Sequence, residues 1–202
     1  MGLVGSLLRQ AGRDPERIAL ADSVGRSVSY AHLALAVGIG AGRLRDAGIG
    51  PGDRVLLCLP NGFDFVRAYY SVIAAGAIAV PVSPQLPVGD VERVVDDCQP
   101  SAAIAAPDAA VFGPKVRLTC ADLTCNEAEN EDGARYAAAR ARSAMGVLET
   151  AAARTEQGPA VILYTSGTTG EPKGAMLSGE ALAANAEAMG EVSSSRPEDI
   201  HL

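Results

Sequence analysis

Eleven residues near the end of the chain, Tyr164-Thr-Ser-Gly-Thr-Thr-Gly-Glu-Pro-Lys-Gly174, combine backbone freedom, hydroxyl donors and one cation. Gly167, Gly170 and Gly174 let the chain turn and approach a ligand closely, because glycine reaches positive φ without a Cβ clash. Thr165, Ser166, Thr168 and Thr169 supply four hydroxyls, and Lys173 supplies an ammonium that pairs with phosphate oxygens as a point charge. The chemistry this set can do is to hold a polyphosphate. It contains no nucleophile with an adjacent base, so binding and charge neutralisation are its capacities.

A Gly/Ser/Thr/Pro cluster after a strand is ordinarily just a turn. A turn needs only one or two glycines and has no use for four hydroxyls. The cation is also unusual for this chain, which has two lysines, Lys115 and Lys173, against fifteen arginines. The common phosphate loop G-x-x-x-x-G-K-[ST] does not fit, since Lys173 follows Pro172 and Gly174 stands where Ser or Thr belongs. The dinucleotide fingerprint G-x-G-x-x-G fails as well, because position 169 is Thr.

The elements that must position this loop are legible around it. Residues 160–165, Ala-Val-Ile-Leu-Tyr-Thr, form an apolar, β-branched run that reads as a buried strand feeding the loop. Residues 175–178 can continue as a strand, with Ser178 as N-cap of a helix over 179–191. Upstream, apolar runs alternate with helical periodicity, the rhythm of an α/β fold with doubly wound, mostly parallel sheets flanked by helices. Short strands are expected at 18–21 and 27–29, then a helix over 30–47 with Ser29 as N-cap and Gly48 as stop. Strands at 54–59, 78–82 and 102–105 alternate with helices at 63–75, ended near Gly76, and 88–98. The run Asn126-Glu-Ala-Glu-Asn-Glu-Asp132 reads as a solvated loop. The Ala-rich stretch 134–153 has high helix propensity but little apolar face, so it is expected as a surface helix or linker. This divides the chain into a first α/β subdomain (1–125), an acidic loop and Ala-rich helix or linker (126–158), and the start of a second α/β subdomain carrying the phosphate loop (159–202).

The 202 residues are 48% hydrophobic with a formal net charge of -7, enough apolar material for a substantial core and no basis for a general nucleic-acid or anionic-membrane surface. Eight aromatics, none of them Trp, also weaken a base-stacking role. The longest apolar stretch, residues 72–82, is interrupted by Gly76 and Pro81 and is too short to cross a bilayer. The first six residues fit the loose N-myristoylation pattern, but Leu3, Val4, Leu7 and Leu8 also begin an amphipathic segment that can pack on the domain. Cys58, Cys98, Cys120 and Cys125 lack metal-ligand spacing, and free thiols in a reducing cytoplasm are expected, with Cys58 a small core residue. His32 reads as a surface or locally satisfied histidine within a helix, and Asp96 and Asp97 as solvated charges. His201 could belong to a substrate pocket in a longer protein.

Along its whole length the stretch 164–174 resembles the phosphate-loop signature of the adenylate-forming superfamily, which includes acyl- and aryl-CoA synthetases, nonribosomal peptide adenylation domains and luciferases. Every position falls on the family pattern, with Glu171 at its variable place. Gly52-Asp-Arg-Val-Leu-Leu57, Leu59-Pro-Asn61 and Ala75-Gly-Ala-Ile-Ala-Val-Pro-Val82 resemble opening blocks of that family's large domain. Leu59-Pro-Asn61 is closer to the acyl-CoA synthetase (fatty-acid-CoA ligase) branch, and Gly179 departs from the His that many relatives carry there. The resemblance implies the N-terminal part of the large adenylate-forming domain and a ligase of fatty acid metabolism. In that reaction a carboxylic acid, here a fatty acid, reacts with ATP and Mg2+ to give acyl-AMP, and coenzyme A then takes the acyl group. Thr165, Ser166, Gly167, Thr168, Thr169, Gly170 and Lys173 would hold the β- and γ-phosphates. The family's Mg2+-holding Glu, ribose-binding Asp and catalytic Lys are expected beyond residue 202, so the chain as given is read as an N-terminal fragment with no catalytic residue, inactive alone. Two alternatives stay open: a non-catalytic ATP- or partner-binding module, and an adenylation domain that loads a carrier-protein thiol. A phosphate-loop NTPase of another family is disfavoured by the position of Lys173.

Overall fold

The structure, a computed structural model, describes residues 2–107, 109, 114, 116–123, 131–153, 158–165 and 172–192, the side chains of 131–140 excepted. The chain opens with helix α1 (Leu3–Arg13), the hairpin strands β1 (Ile18–Ala21) and β2 (Ser27–Ser29), and helix α2 (Tyr30–Asp46). The βα units that follow are β3 (Arg54–Cys58), α3 (Phe63–Ala75), β4 (Ile78–Val82), α4 (Val88–Cys98), β5 (Ala102–Ala105) and β6 (Val116–Leu118). Helix α5 (Glu131–Ala152), strands β7 (Pro159–Thr165) and β8 (Lys173–Ser178), and helix α6 (Gly179–Val192) complete the described chain.

Local chemistry explains the boundaries. The Ser29 side chain accepts from the His32 N–H to start α2, and the Ser29 hydroxyl also lies 3.0 Å from His32 Nδ1, so that histidine is satisfied locally. Helix α3 stops at Gly76, whose φ of +89° only glycine adopts at no steric cost. Ser178 Oγ accepts from Ala181 N at 3.1 Å and caps α6.

Six strands form one sheet in the order β6-β5-β3-β4-β7-β8. β3 pairs in parallel with β4 and β5, β5 with β6, and β4 with β7. Only the β7–β8 pair within this sheet is antiparallel. The fold is therefore the mixed α/β architecture with a parallel-dominated sheet and flanking helices that the sequence pattern implies. Its strands alternate faces with period two. Val55, Leu57, Ala79, Ala102, Ile104 and Val161 point into a core shared with α1, α2, α3 and α5. Leu56, Cys58, Val80, Ala103 and Ile162 point into a second layer sealed by Val91, Val94, Val95 and Cys98 of α4. Burial on both faces explains why these strands read as continuous apolar runs.

Two features differ from the expectation. The Ala-rich segment is a helix that joins the core: Ala144, Leu148 and Ala151 are buried, and α5 packs on α2. Its buried stripe is two alanines around one leucine, spaced four and three apart, a weak hydrophobic signal, yet small residues allow close approach. A Cβ on Gly38 of α2 would lie 2.5 Å from the Ala144 carbonyl oxygen. Glu131 and Asp132, read as the end of a solvated loop, are the first residues of α5; residues 126–130 lie outside the described residues. Strand β7 joins the same sheet as the earlier strands, Val161 registering with Ala79 of β4.

Candidate functional site

Strand β7 is parallel to β4, so its C-terminal end lies on the edge of the sheet where the other parallel strands also end. That edge is where open α/β sheets bind ligands. The antiparallel ladder of β7 and β8 runs from Pro159↔Ser178 to Thr165↔Lys173. Thr165 and Lys173 are thus the last paired residues before the segment 166–171, and both side chains are exposed. The structure brings these two predicted site residues together at one end of the hairpin. Ser166, Gly167, Thr168, Thr169 and Gly170 lie outside the described residues.

Gly174 has a different job from the one its type suggested. It pairs with Tyr164 across the ladder, and a Cβ built on it would lie 2.7 Å from Ile162 Cγ2, 3.0 Å from Tyr164 Cζ and 3.2 Å from Tyr164 Oη. The missing side chain makes room for the tyrosine ring, so this glycine serves protein packing. The first and last residues of the motif are in contact.

The Tyr164 hydroxyl donates to Asp97 Oδ2 at the C-terminal turn of α4. Asp97, read from sequence as a solvated charge, is therefore a partner of the motif. The phenol titrates far above its ordinary range, pushed first by burial and then by the hydrogen bond to Asp97, so it remains a donor. Cys98 beside it is buried, and burial first of all pushes its thiol up to about 11. No spacing rule links residues 97 and 164; only the pairing of β7 onto β4, beneath α4, brings them together.

Cys58, Cys98 and Cys120 are free thiols, and burial raises the pKa of all three; Cys125 and Lys115 lie outside the described residues, as does His201. Among the described residues no group of three or more His, Cys, Asp or Glu could hold a metal ion, and no helix is long and apolar enough to cross a membrane.

The model of the AMP-binding enzyme family matches residues 7–202, and the chain belongs to that family. Syringomycin synthase SyrB1 of Pseudomonas syringae pv. syringae is 37% identical over 174 residues, covering 84% of this chain and 25% of the synthase. The medium/long-chain-fatty-acid–[acyl-carrier-protein] ligase FadD10 of Mycobacterium tuberculosis is 31% identical over 182 residues, covering 85% of this chain and 32% of the ligase. Among solved structures, VinN with 3-methylaspartate superposes with a TM-score of 0.75 at 23% identity, covering 98% of this chain and 53% of VinN, a likeness of fold. The chain thus spans about a quarter to a third of the length of these curated relatives. The relatives include a dimodular nonribosomal peptide synthase of Bacillus subtilis as well as the fatty-acid ligase, so the acyl-CoA synthetase branch is one of several open to it.

Proposed function

We propose that the chain is the phosphate-holding part of an enzyme that activates a carboxylic acid with ATP and passes the acyl group to a thiol. The observation that carries this reading is the pairing of Thr165 with Lys173 at the base of segment 166–171, both exposed, on the ligand-binding edge of the sheet. Thr165, Ser166, Gly167, Thr168, Thr169, Gly170 and Lys173 would hold the β- and γ-phosphates through hydroxyls, backbone N–H groups and one ammonium. When the acid's carboxylate oxygen attacks the α-phosphorus, the bond to the β-phosphate oxygen breaks and pyrophosphate departs. Groups already aimed at that departing charge stabilise the transition state without reorganisation. The thiol sulfur then attacks the acyl carbon and AMP leaves. Mg2+ would neutralise phosphate charge, and its ligands are sought outside the described residues.

For the acceptor, Leu59-Pro60-Asn61 supports coenzyme A and a fatty acid substrate. FadD10, by name a ligase acting with an acyl carrier protein, supports a carrier-protein thiol as the second reading. The test is acid-dependent exchange of pyrophosphate into ATP by the intact polypeptide that carries these residues, followed by transfer to coenzyme A or to a carrier protein bearing its thiol arm. Exchange with a fatty acid and transfer to coenzyme A is the expected result. Transfer to the carrier alone selects the second reading, and an intact polypeptide that binds ATP yet exchanges with no acid is a binding module.

A further inference from the structure

We propose that Asp97 is a positioning residue for the phosphate loop, tying the end of α4 to the strand from which the loop departs. This inference rests on the phosphate-holding reading of residues 165–173. Tyr164 immediately precedes the loop and is held twice. Its ring lies over Gly174, where a Cβ would approach to 3.0 Å, and its hydroxyl is anchored by Asp97. One side chain therefore fixes both strands at the base of the loop, β7 directly and β8 through the glycine it covers.

The placement of Asp97 argues against a merely solvated charge. A carboxylate in the last turn of a helix faces the negative end of the helix dipole, where cations are favoured. The last turn of α4 has no basic residue of its own. Its terminal carbonyls are met from elsewhere: Arg54 donates Nε to the Cys98 carbonyl at 2.6 Å and Nη2 to the Gln99 carbonyl at 2.8 Å. A distant guanidinium stabilises the helix end, and the carboxylate that opposes the dipole accepts from Tyr164. Burial and the bond to Asp97 push the phenol above its ordinary range, in keeping with Tyr164 as the donor. Polyphosphate binding depends on donors held in place beforehand. Loosening the anchor is therefore expected to weaken binding although neither residue touches phosphate.

The experiment titrates MgATP and inorganic tripolyphosphate against the intact polypeptide and its Tyr164→Phe, Asp97→Ala, Asp97→Asn and Lys173→Ala variants, with melting midpoints measured in parallel. Tyr164→Phe and Asp97→Ala should each weaken both ligands several-fold at little-changed midpoints. The double variant should be no weaker than either single one, and Asp97→Asn, whose amide oxygen still accepts, should recover most of the affinity. Wild-type affinity in Tyr164→Phe and Asp97→Ala, with binding lost in Lys173→Ala, overturns the positioning role and leaves the phosphate loop standing. Additive losses in the double variant, or losses that track the melting midpoint, also overturn it. Failure of the unmodified protein to bind either ligand, or unchanged binding in Lys173→Ala, contradicts the phosphate-loop reading itself.

Discussion

Strands β3 and β8 belong to one sheet and meet opposite demands. Val55, Leu56, Leu57 and Cys58 of β3 are all buried, with parallel neighbours on both sides and helices on both faces. In β8 the first four residues are exposed, Met176 at 68%, and among the described residues its one strand partner is β7. The interior strand is specified by packing, because every side chain has neighbours that a substitution disturbs. The outer strand is specified by a few local contacts, above all Tyr164 over Gly174, and the side chains of Lys173, Ala175 and Met176 are exposed. On the proposed function, stability and phosphate holding fall to different parts of the sheet.

The contrast is most easily broken in the interior. Leu57→Ala should cost about 2–5 kcal/mol, the range for emptying a fully buried leucine site, read as a fall in the denaturation midpoint. Next is Gly40→Ala. In an open helix this change would gain up to about 1 kcal/mol. Here the new Cβ would lie 2.3 Å from Ser71 Oγ, a buried hydroxyl donating to the Val37 carbonyl at 3.3 Å. The clash wins, with a net loss of about 1–3 kcal/mol, and Ser71→Ala in the same chain should recover part of it.

The pH limits of stability also belong to the scaffold. Burial first, then the neighbouring Tyr70, pushes the Tyr69 phenol from its ordinary 10 up to about 12. Its contribution is whole below pH 10 and is lost as pH rises through 12. Tyr69→Phe, which keeps the ring stacked on Phe65, should flatten that alkaline limb. At the acid end Asp53 accepts from Ser101 Oγ at 2.6 Å and Gly50 N at 2.9 Å, which hold its carboxyl below the ordinary 3.8. That contribution is present above pH 3.8 and disappears as pH falls through the lower folded-state value. Asp53→Asn should make the midpoint less sensitive to acid. Smallest of all is Met176→Ser on the outer strand, expected to stay within about 0.5 kcal/mol; a loss as large as that of Leu57→Ala would erase the distinction between the two strands.

What the sequence revealed follows the same division. Strands β3, β4 and β5 were readable as apolar runs because both faces are buried, and α2, α3 and α4 through Ser29, Gly76 and their periodicity. The packing of α5 was hidden, since a stripe of Ala144, Leu148 and Ala151 carries little hydrophobic signal while allowing the close approach of Ala144 to Gly38. Strand β6 was hidden as well, a three-residue strand with only half-buried apolar ends around an exposed Arg117. At the site, residue types alone suggested a phosphate loop, but Gly174 took its meaning from a tyrosine across the ladder. Asp97 gained its partner through a contact 67 positions away. Both are products of tertiary pairing, which no local pattern encodes.

The most direct test of the central claim is calorimetric titration of MgATP into the intact polypeptide, wild type and Lys173→Ala, beside their thermal melts. Saturable binding that pyrophosphate displaces, weakened about tenfold or more by Lys173→Ala at an unchanged melting midpoint, is the predicted result. Equal affinity in the two proteins, or a midpoint that falls together with affinity, would contradict the claim and make Lys173 a residue of the fold.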